Sequence, residues 1–198
     1  FLLGIGDRTG HLQRITAEDF AQAVAGGASY ARDALAEPRE GTILTVVADF
    51  AQEVGELTGR QGVRDFRQLF SRGLERARLS LEATRDQLES LRRANVVDAG
   101  AMGFVELLAG IVHYLETGEL GEDDAVAVIR NDESTAGEEP DLGHRFCTEC
   151  VVSGEDVDRR HLREQLSTIG SSLVVAGTHR KVKVHIHVND PAEVFRLA

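Results

Sequence analysis

Cationic residues are scarce in this chain: 22 lysines and arginines stand against 33 aspartates and glutamates, a formal net charge of −11. So acidic a protein repels a phosphate backbone, and nucleic acid is excluded as an expected partner. Cysteine is nearly absent. Two residues, Cys147 and Cys150, cannot build a disulfide framework, which leads to the expectation of a cytoplasmic compartment. Long hydrophobic runs are missing too. No stretch approaches the ~20 consecutive apolar residues of a membrane span, so no integral membrane contact is expected. No signal-peptide pattern opens the chain; Phe1 reads as already inside folded sequence, and with no Met there the expectation is a fragment. What is present is a hydrophobic fraction of 42% over 198 residues, enough for one sizeable domain or two small ones.

Residues 16 to about 117 carry helical periodicity and almost no strand signal. Thr16 with Asp19 resembles a capping box, opening a helix through Phe20, Val24, Gly27, Ala31 and Leu35 that Pro38 ends. Ile43, Val46, Val47, Phe50, Val54 and Leu57 give the clearest helical spacing in the chain. A third helix uses Val63, Phe66, Leu69, Phe70, Leu74, Ala77 and Leu81, and Thr84 with Gln87 is expected to start a short one through Leu88 and Leu91. A fifth runs through Phe104, Leu107, Leu108, Ile111 and Leu115 to Gly118. Amphipathic helices of this kind pack around a shared interior. In a fragment, stripes such as Phe20/Val24/Ala31 and Phe104/Leu108/Ile111 are expected to lie partly uncovered.

Between Gly118 and Gly143 the chain turns acidic and loses its pattern, which reads as a flexible linker, with a short strand at residues 125–129 within it. We therefore place a helical domain at 1–120, a linker at 121–143 and a second domain at 144–198. The second domain reads β-α-β-β-α. Its last helix has a strong start in Asp190 as N-cap, Pro191 at the first helical position and Glu193. The order implies a small antiparallel α+β sandwich.

In that domain Lys183-Val184-His185-Ile186-His187-Val188 alternates strictly. A strand sends alternate side chains to one face, so His185 and His187 lie about 6.5–7 Å apart at Cα and point the same way. Two imidazoles so placed can chelate a metal, and the run from His144 to Val152 can add a thiolate; a Cys/His/His set is a familiar zinc grouping. A solvated strand face carrying two histidines is the other reading, and the residues alone leave both open. Cys147-Thr148-Glu149-Cys150 also matches the C-x-x-C redox spacing. Its surroundings favour a strand, however, whereas reactive pairs sit at helix starts. The basic cluster Arg72, Arg76 and Arg78 reads as a solvated helix face, and Gly4 to Gly10 as a connecting loop.

Two segments of the helical half, Glu40-Gly41-Thr42-Ile43-Leu44-Thr45-Val46 and Val96-Val97-Asp98-Ala99-Gly100-Ala101-Met102-Gly103, resemble stretches of Dak-type proteins, which contain the nucleotide-binding domain of dihydroxyacetone kinase. Further on, Phe146-Cys147-Thr148-Glu149, Ser172-Leu173-Val174-Val175 and Val182 through Pro191 are similar, in this order, to the middle domain of the bacterial fatty acid kinase catalytic subunit. The resemblance implies a two-domain chain: an incomplete all-α helical barrel or bundle followed by the α+β domain. It implies ATP and magnesium at one rim of the barrel, and transfer of the γ-phosphate to a fatty acid carboxylate. The fatty acid is held by a separate DegV-type carrier protein, and the product is an acyl phosphate. A homodimer is also expected.

The family's D-G-D-T-G-T-N and G-N-S-G motifs do not occur in this sequence, so no catalytic residue is assigned and the chain alone is expected to be inactive. By resemblance, Gly41 and Thr42 fall where a nucleotide-contacting loop meets a helix, and Asp98, Ala99 and Gly100 form a second nucleotide loop. Ala101 and Met102 stand where Gly and Gln are commoner. Helix capping is an alternative role for both loops. The resemblance also points to Cys147, His185 and His187 as zinc ligands; water or a fourth group completes a tetrahedron, and Glu149 and Asn189 are the nearest candidates. A non-catalytic dimerisation scaffold and a small-molecule kinase of the dihydroxyacetone type are the alternative functions.

Overall fold

The computed structural model describes residues 1–120 and 143–198. The proposed strand at 125–129 and most of the acidic linker lie outside the described residues. The chain forms two units. The first contains α1 (Leu2–Thr9), most of α2 (Ala17–Asp33), α3 (Ile43–Gly59), α4 (Phe66–Gln87), α5 (Glu89–Ala94) and α6 (Ala99–Thr117). The second contains β1 (Phe146–Ser153), α7 (Arg159–Leu166), β2 (Gly170–Gly177), β3 (Lys181–Val188) and α8 (Pro191–Leu197). Residues 30–38 belong structurally to the second unit, and Leu35 bridges Val174 on the outer edge of β2.

Local chemistry sets the helix starts. The Thr16 amide donates to the Asp19 carboxylate while the Asp19 amide donates to the Thr16 hydroxyl, a reciprocal box that satisfies two helix-start donors. Thr42 caps α3, Asp98 caps α6, and Asp190 with Pro191 opens α8. Two boundaries differ from the sequence expectation. Residues 4–9, read as loop, continue α1. Thr84 does not start a helix; α4 runs through it for 22 residues and breaks at Leu88. Its hydroxyl is fully buried, donating to the Leu81 carbonyl and accepting from the Asp98 amide. A tertiary partner thus uses the group that would otherwise have capped a new helix.

The apolar stripes of α2, α3, α4 and α6 make one core, centred on Val24, Val46, Phe50, Val54, Ala77 and Phe104. The helix α6 is long and apolar enough to cross a membrane by length and composition, at a mean hydropathy of 1.2. One face of it enters the core, with Ala101, Phe104, Val105 and Leu108 buried. Its surplus apolarity lies on the flank, where Met102, Leu107 and Tyr114 are exposed. The basic cluster on α4 is partly used: Arg76 pairs with Asp49 at 2.9 Å and Arg72 with Glu53 at 3.8 Å, both on α3.

In the second unit β3 is central, antiparallel to both β1 and β2, in the order β1-β3-β2. Its even-numbered residues Val182, Val184, Ile186 and Val188 are buried under Leu162 and Leu166 of α7 and Val194 of α8. Both helices therefore cover one face of the sheet. The odd-numbered residues Lys183, His185 and His187 occupy the opposite, open face.

Candidate functional site

The register fixes what surrounds the two histidines. Cys147 pairs with His187 and Glu149 with His185, so all four side chains share the open face. Thr148 and Cys150 pair with Ile186 and Val184 on the covered face. Burial pushes the Cys150 thiol up, which keeps it protonated. Cys147 is exposed and is the cysteine on the open face. The two sulfurs leave β1 in opposite directions from mid-strand, which argues against a redox pair.

One ligand atom from each of Cys147, His185 and His187 lies within 4.8 Å of the others. Cys147 Sγ is 3.9 Å from His185 Nδ1, and the two imidazole centroids are 5.2 Å apart. Zinc bonds of about 2.3 Å to sulfur and about 2.0 Å to nitrogen put the two donors about 3.5 Å apart in a tetrahedron. The sulfur–nitrogen pair is thus close to that spacing, and the donor chemistry of the triple suits zinc. Glu149 completes the surroundings. Its Oε1 lies 3.2 Å from His185 Nδ1 and its Oε2 2.9 Å from Lys183 Nζ. Hydrogen bonding from Lys183, then from His185, holds this carboxyl below the usual carboxylate range. Glu149 Oε1 and Cys147 Sγ thus approach the same ring nitrogen of His185, so an ion on Nδ1 would take the place of this contact, whereas an ion on Nε2 would leave Glu149 as the outer partner.

Asn189, a candidate fourth ligand from sequence, has another role. Its Oδ1 accepts from the Arg145 amide and its Nδ2 donates to the Gly143 carbonyl. Both ends of the amide clamp the chain entering β1. Sequence reasoning missed this clamp, whose partners lie 44 and 46 residues away.

At the other candidate site the structure brings the two loops together. Gly41 is buried with φ +79°, and Gly100 at the start of α6 packs near Ile43 at the start of α3. Two helix N-termini thus adjoin, and such ends present backbone N–H groups and partial positive charge to anions. Thr42 Oγ1 donates to the Arg39 carbonyl and accepts from the Leu44 amide. Asp98 Oδ1 accepts from the Ala101 amide. The capping roles of both residues are therefore present, while Ala99 and Gly100 are exposed on the rim.

The geometry of the rim rests on Gly41. A Cβ there would stand 2.8 Å from Gln87 Cβ and 3.2 Å from the Leu88 nitrogen, at a φ unfavourable to L residues. We expect Gly41→Ala to cost about 1–2 kcal/mol from the left-handed backbone alone. Gly103→Ala, on the exposed side of α6 with nothing within 4 Å of the added carbon, should instead stabilise by up to about 1 kcal/mol. Urea unfolding of the pair checks both signs; equal behaviour would mean that the loop at Gly41 is not held as described.

A helical unit in which the capped starts of α3 and α6 adjoin, followed by a three-stranded α+β unit bearing a Cys/His/His triple, has the two-part order that the Dak-type resemblance implies. Comparison with known proteins agrees. The DAK2 domain family matches residues 1–113, and the FakA-like middle domain of fatty acid kinase matches residues 143–198. The chain belongs to the DAK2-domain family. An uncharacterized protein of Staphylococcus saprophyticus is 32% identical over 92% of this chain, and protein YloV of Bacillus subtilis 32% identical over 94%. The chain spans 35% of the length of each.

Proposed function

We propose that this chain is part of an ATP-dependent kinase that phosphorylates a fatty acid carboxylate presented by a DegV-type carrier protein, giving an acyl phosphate in the cytoplasm. The match of residues 143–198 to the FakA-like middle domain of fatty acid kinase carries this reading. The adjoining starts of α3 and α6 support a nucleotide rim, with Gly41, Thr42, Asp98, Ala99 and Gly100 around it. Phosphoryl transfer needs positioned metal ions that neutralise phosphate charge. The magnesium motif of the family does not occur among these 198 residues, so the chain by itself should bind ATP weakly and turn nothing over.

In the same reading Cys147, His185 and His187 hold zinc. The ion's part is structural: it ties β1 to β3 on the face that no helix covers among the described residues.

The test uses the whole protein of which this chain is part. Incubated with ATP, magnesium and a DegV-type carrier loaded with fatty acid, it should produce acyl phosphate in a carrier-dependent manner. Turnover of dihydroxyacetone instead would identify the small-molecule kinase alternative. A whole protein that binds no nucleotide would identify the scaffold. Micromolar ATP binding by residues 1–198 alone would show that the rim is self-sufficient, against the present reading.

A further inference from the structure

We infer that the second unit carries an oxyanion site beside α7, where Arg159, Arg163 and Tyr30 take the single phosphate group of a small phosphomonoester. The cavity there has a volume of about 610 Å³, within the roughly 300–1,000 Å³ of small-molecule sites. Residues 30–38 belong to the second unit, so the cavity lies inside that unit. It shares no residue with the Cys147/His185/His187 face or with the loops at Gly41 and Asp98.

The first observation is charge. Arg159 and Arg163 stand four apart on α7, so they share one face of the helix, and like charges at that spacing repel. Both are half-buried. Neither guanidinium has a carboxylate partner among the described residues, although Asp33, Asp156 and Asp158 line the same cavity. Arg160 behaves differently: it pairs with Glu164, also four residues on, at 3.2 Å. An anion between Arg159 and Arg163 removes their repulsion, and the forked N–H groups of arginine match phosphate oxygens.

The second is a pair of orphaned polar atoms. Arg163 Nε and the Tyr30 hydroxyl are buried without a hydrogen-bond partner. Buried polar groups are as a rule hydrogen-bonded, so two exceptions among residues lining one cavity mark where an acceptor belongs. Two guanidiniums and a hydroxyl offer three groups to the three terminal oxygens of a phosphomonoester, whereas a carboxylate has only two.

The third is preorganisation. The Arg159 guanidinium lies 4.6 Å over the Tyr30 ring, and its Nη1 donates to the Gly177 carbonyl at 3.0 Å. Ring and carbonyl hold it in place, and a guanidinium has five N–H donors, so most remain for a ligand. The Val157 amide donates to the His179 carbonyl at 2.6 Å, tying the loop before α7 to the turn between β2 and β3. The amides opening α7 take no part, since Asp158 Oδ1 accepts from those of Arg160 and His161. The site therefore rests on side chains.

The acidic residues set the ligand's charge. Asp33, Asp156 and Asp158 are exposed, and their carboxylates repel a chain of phosphates more than a single one.

Equilibrium dialysis of radiolabelled inorganic phosphate against the 198-residue chain, at fixed ionic strength, tests the assignment. Phosphate should bind at about one per chain and be displaced by glycerol 3-phosphate at similar concentration. Acetate and tripolyphosphate should displace it only at much higher concentration. Arg163→Gln and Arg159→Gln should each weaken binding at least about tenfold, the loss of a charged hydrogen-bond donor. Tyr30→Phe keeps the ring under Arg159 and should weaken it severalfold, while Arg160→Gln should leave it unchanged. Circular dichroism verifies the fold of each variant, and Tyr30→Phe, the most conservative, carries the test if a charge variant fails to fold. No phosphate binding, or binding unchanged in Arg163→Gln and Tyr30→Phe, would overturn the site. Failure of glycerol 3-phosphate to compete would overturn the assignment to an ester, and equal competition by acetate or tripolyphosphate would overturn that to a single phosphate group.

Discussion

A His185→Ala/His187→Ala variant is expected to lose zinc completely, from about one ion per chain to none, and to unfold at a lower temperature. The size of the effect follows from linkage. An ion that binds only the folded chain stabilises it by about 2.7 kcal/mol when its free concentration is a hundredfold above Kd. For a chain of this length each kcal/mol moves the midpoint by roughly 2–4 °C, so the shift should be about 5–10 °C. The unit should still fold without metal, since Leu166, Val182, Val184, Ile186 and Val194 form a core on the other face of the sheet. That separates it from small zinc domains that are unfolded without their ion. His185 also bonds Glu149, so part of the loss in the variant is independent of metal. A chelator added to the wild-type protein isolates the metal's share, and the variant should not respond to it. Metal-free wild-type protein that is indifferent to chelator would return both histidines to an ordinary solvated strand face.

The metal face was legible because a strand's period is short and its meaning local. Val184, Ile186 and Val188 against His185 and His187 could be divided between two faces without any partner strand in view, and the register then placed Cys147 beside His187. The helix starts at Thr16, Asp98 and Asp190 were legible for the same reason, each cap and its amide lying within three residues. What escaped the sequence depends on distant partners. Thr84 has the composition of a helix start, but its hydroxyl is taken by the Asp98 amide, 14 residues on, and α4 continues through it. Asn189 looked like a ligand because it follows His187 closely, and only the return of residues 143–145 reveals it as a clamp. The stripes expected to lie partly uncovered do so only in part: Phe20, Ala31 and Ile111 are half-buried, but Val24 is buried. Phe104 and Leu108 are buried, whereas Leu107 and Tyr114 are not. Periodicity identifies an apolar side, but the helices packed against it decide which edge of that side meets water.

Phe50 is where the helical unit should be most vulnerable. It is 1% exposed, its ring meets Phe104 edge-on at 5.7 Å, and Phe70 is 6.2 Å away. Room for it depends on α4, where a Cβ on Gly73 would run into Cε2 and Cδ2 of the Phe50 ring. The ring thus occupies a slot that a side chain at Gly73 would close. Phe50→Ala should cost about 3–5 kcal/mol, the transfer free energy of the ring plus that of the cavity left behind. The two aromatic neighbours account for roughly 0.5–1.5 kcal/mol per pair within that loss. Phe50→Leu fills part of the slot and should cost distinctly less, keeping the measurement possible if the alanine variant fails to fold. Gly73→Ala should destabilise from the opposite direction, by about 1–3 kcal/mol, because the ring must leave its rotamer. Urea unfolding of the three variants checks the order, with Phe50→Ala the least stable and the other two above it. A Phe50→Ala cost below about 1 kcal/mol, far under the usual loss for a buried aromatic, would mean that the slot collapses freely. A neutral Gly73→Ala would mean that α3 and α4 are not in the close contact on which this core depends.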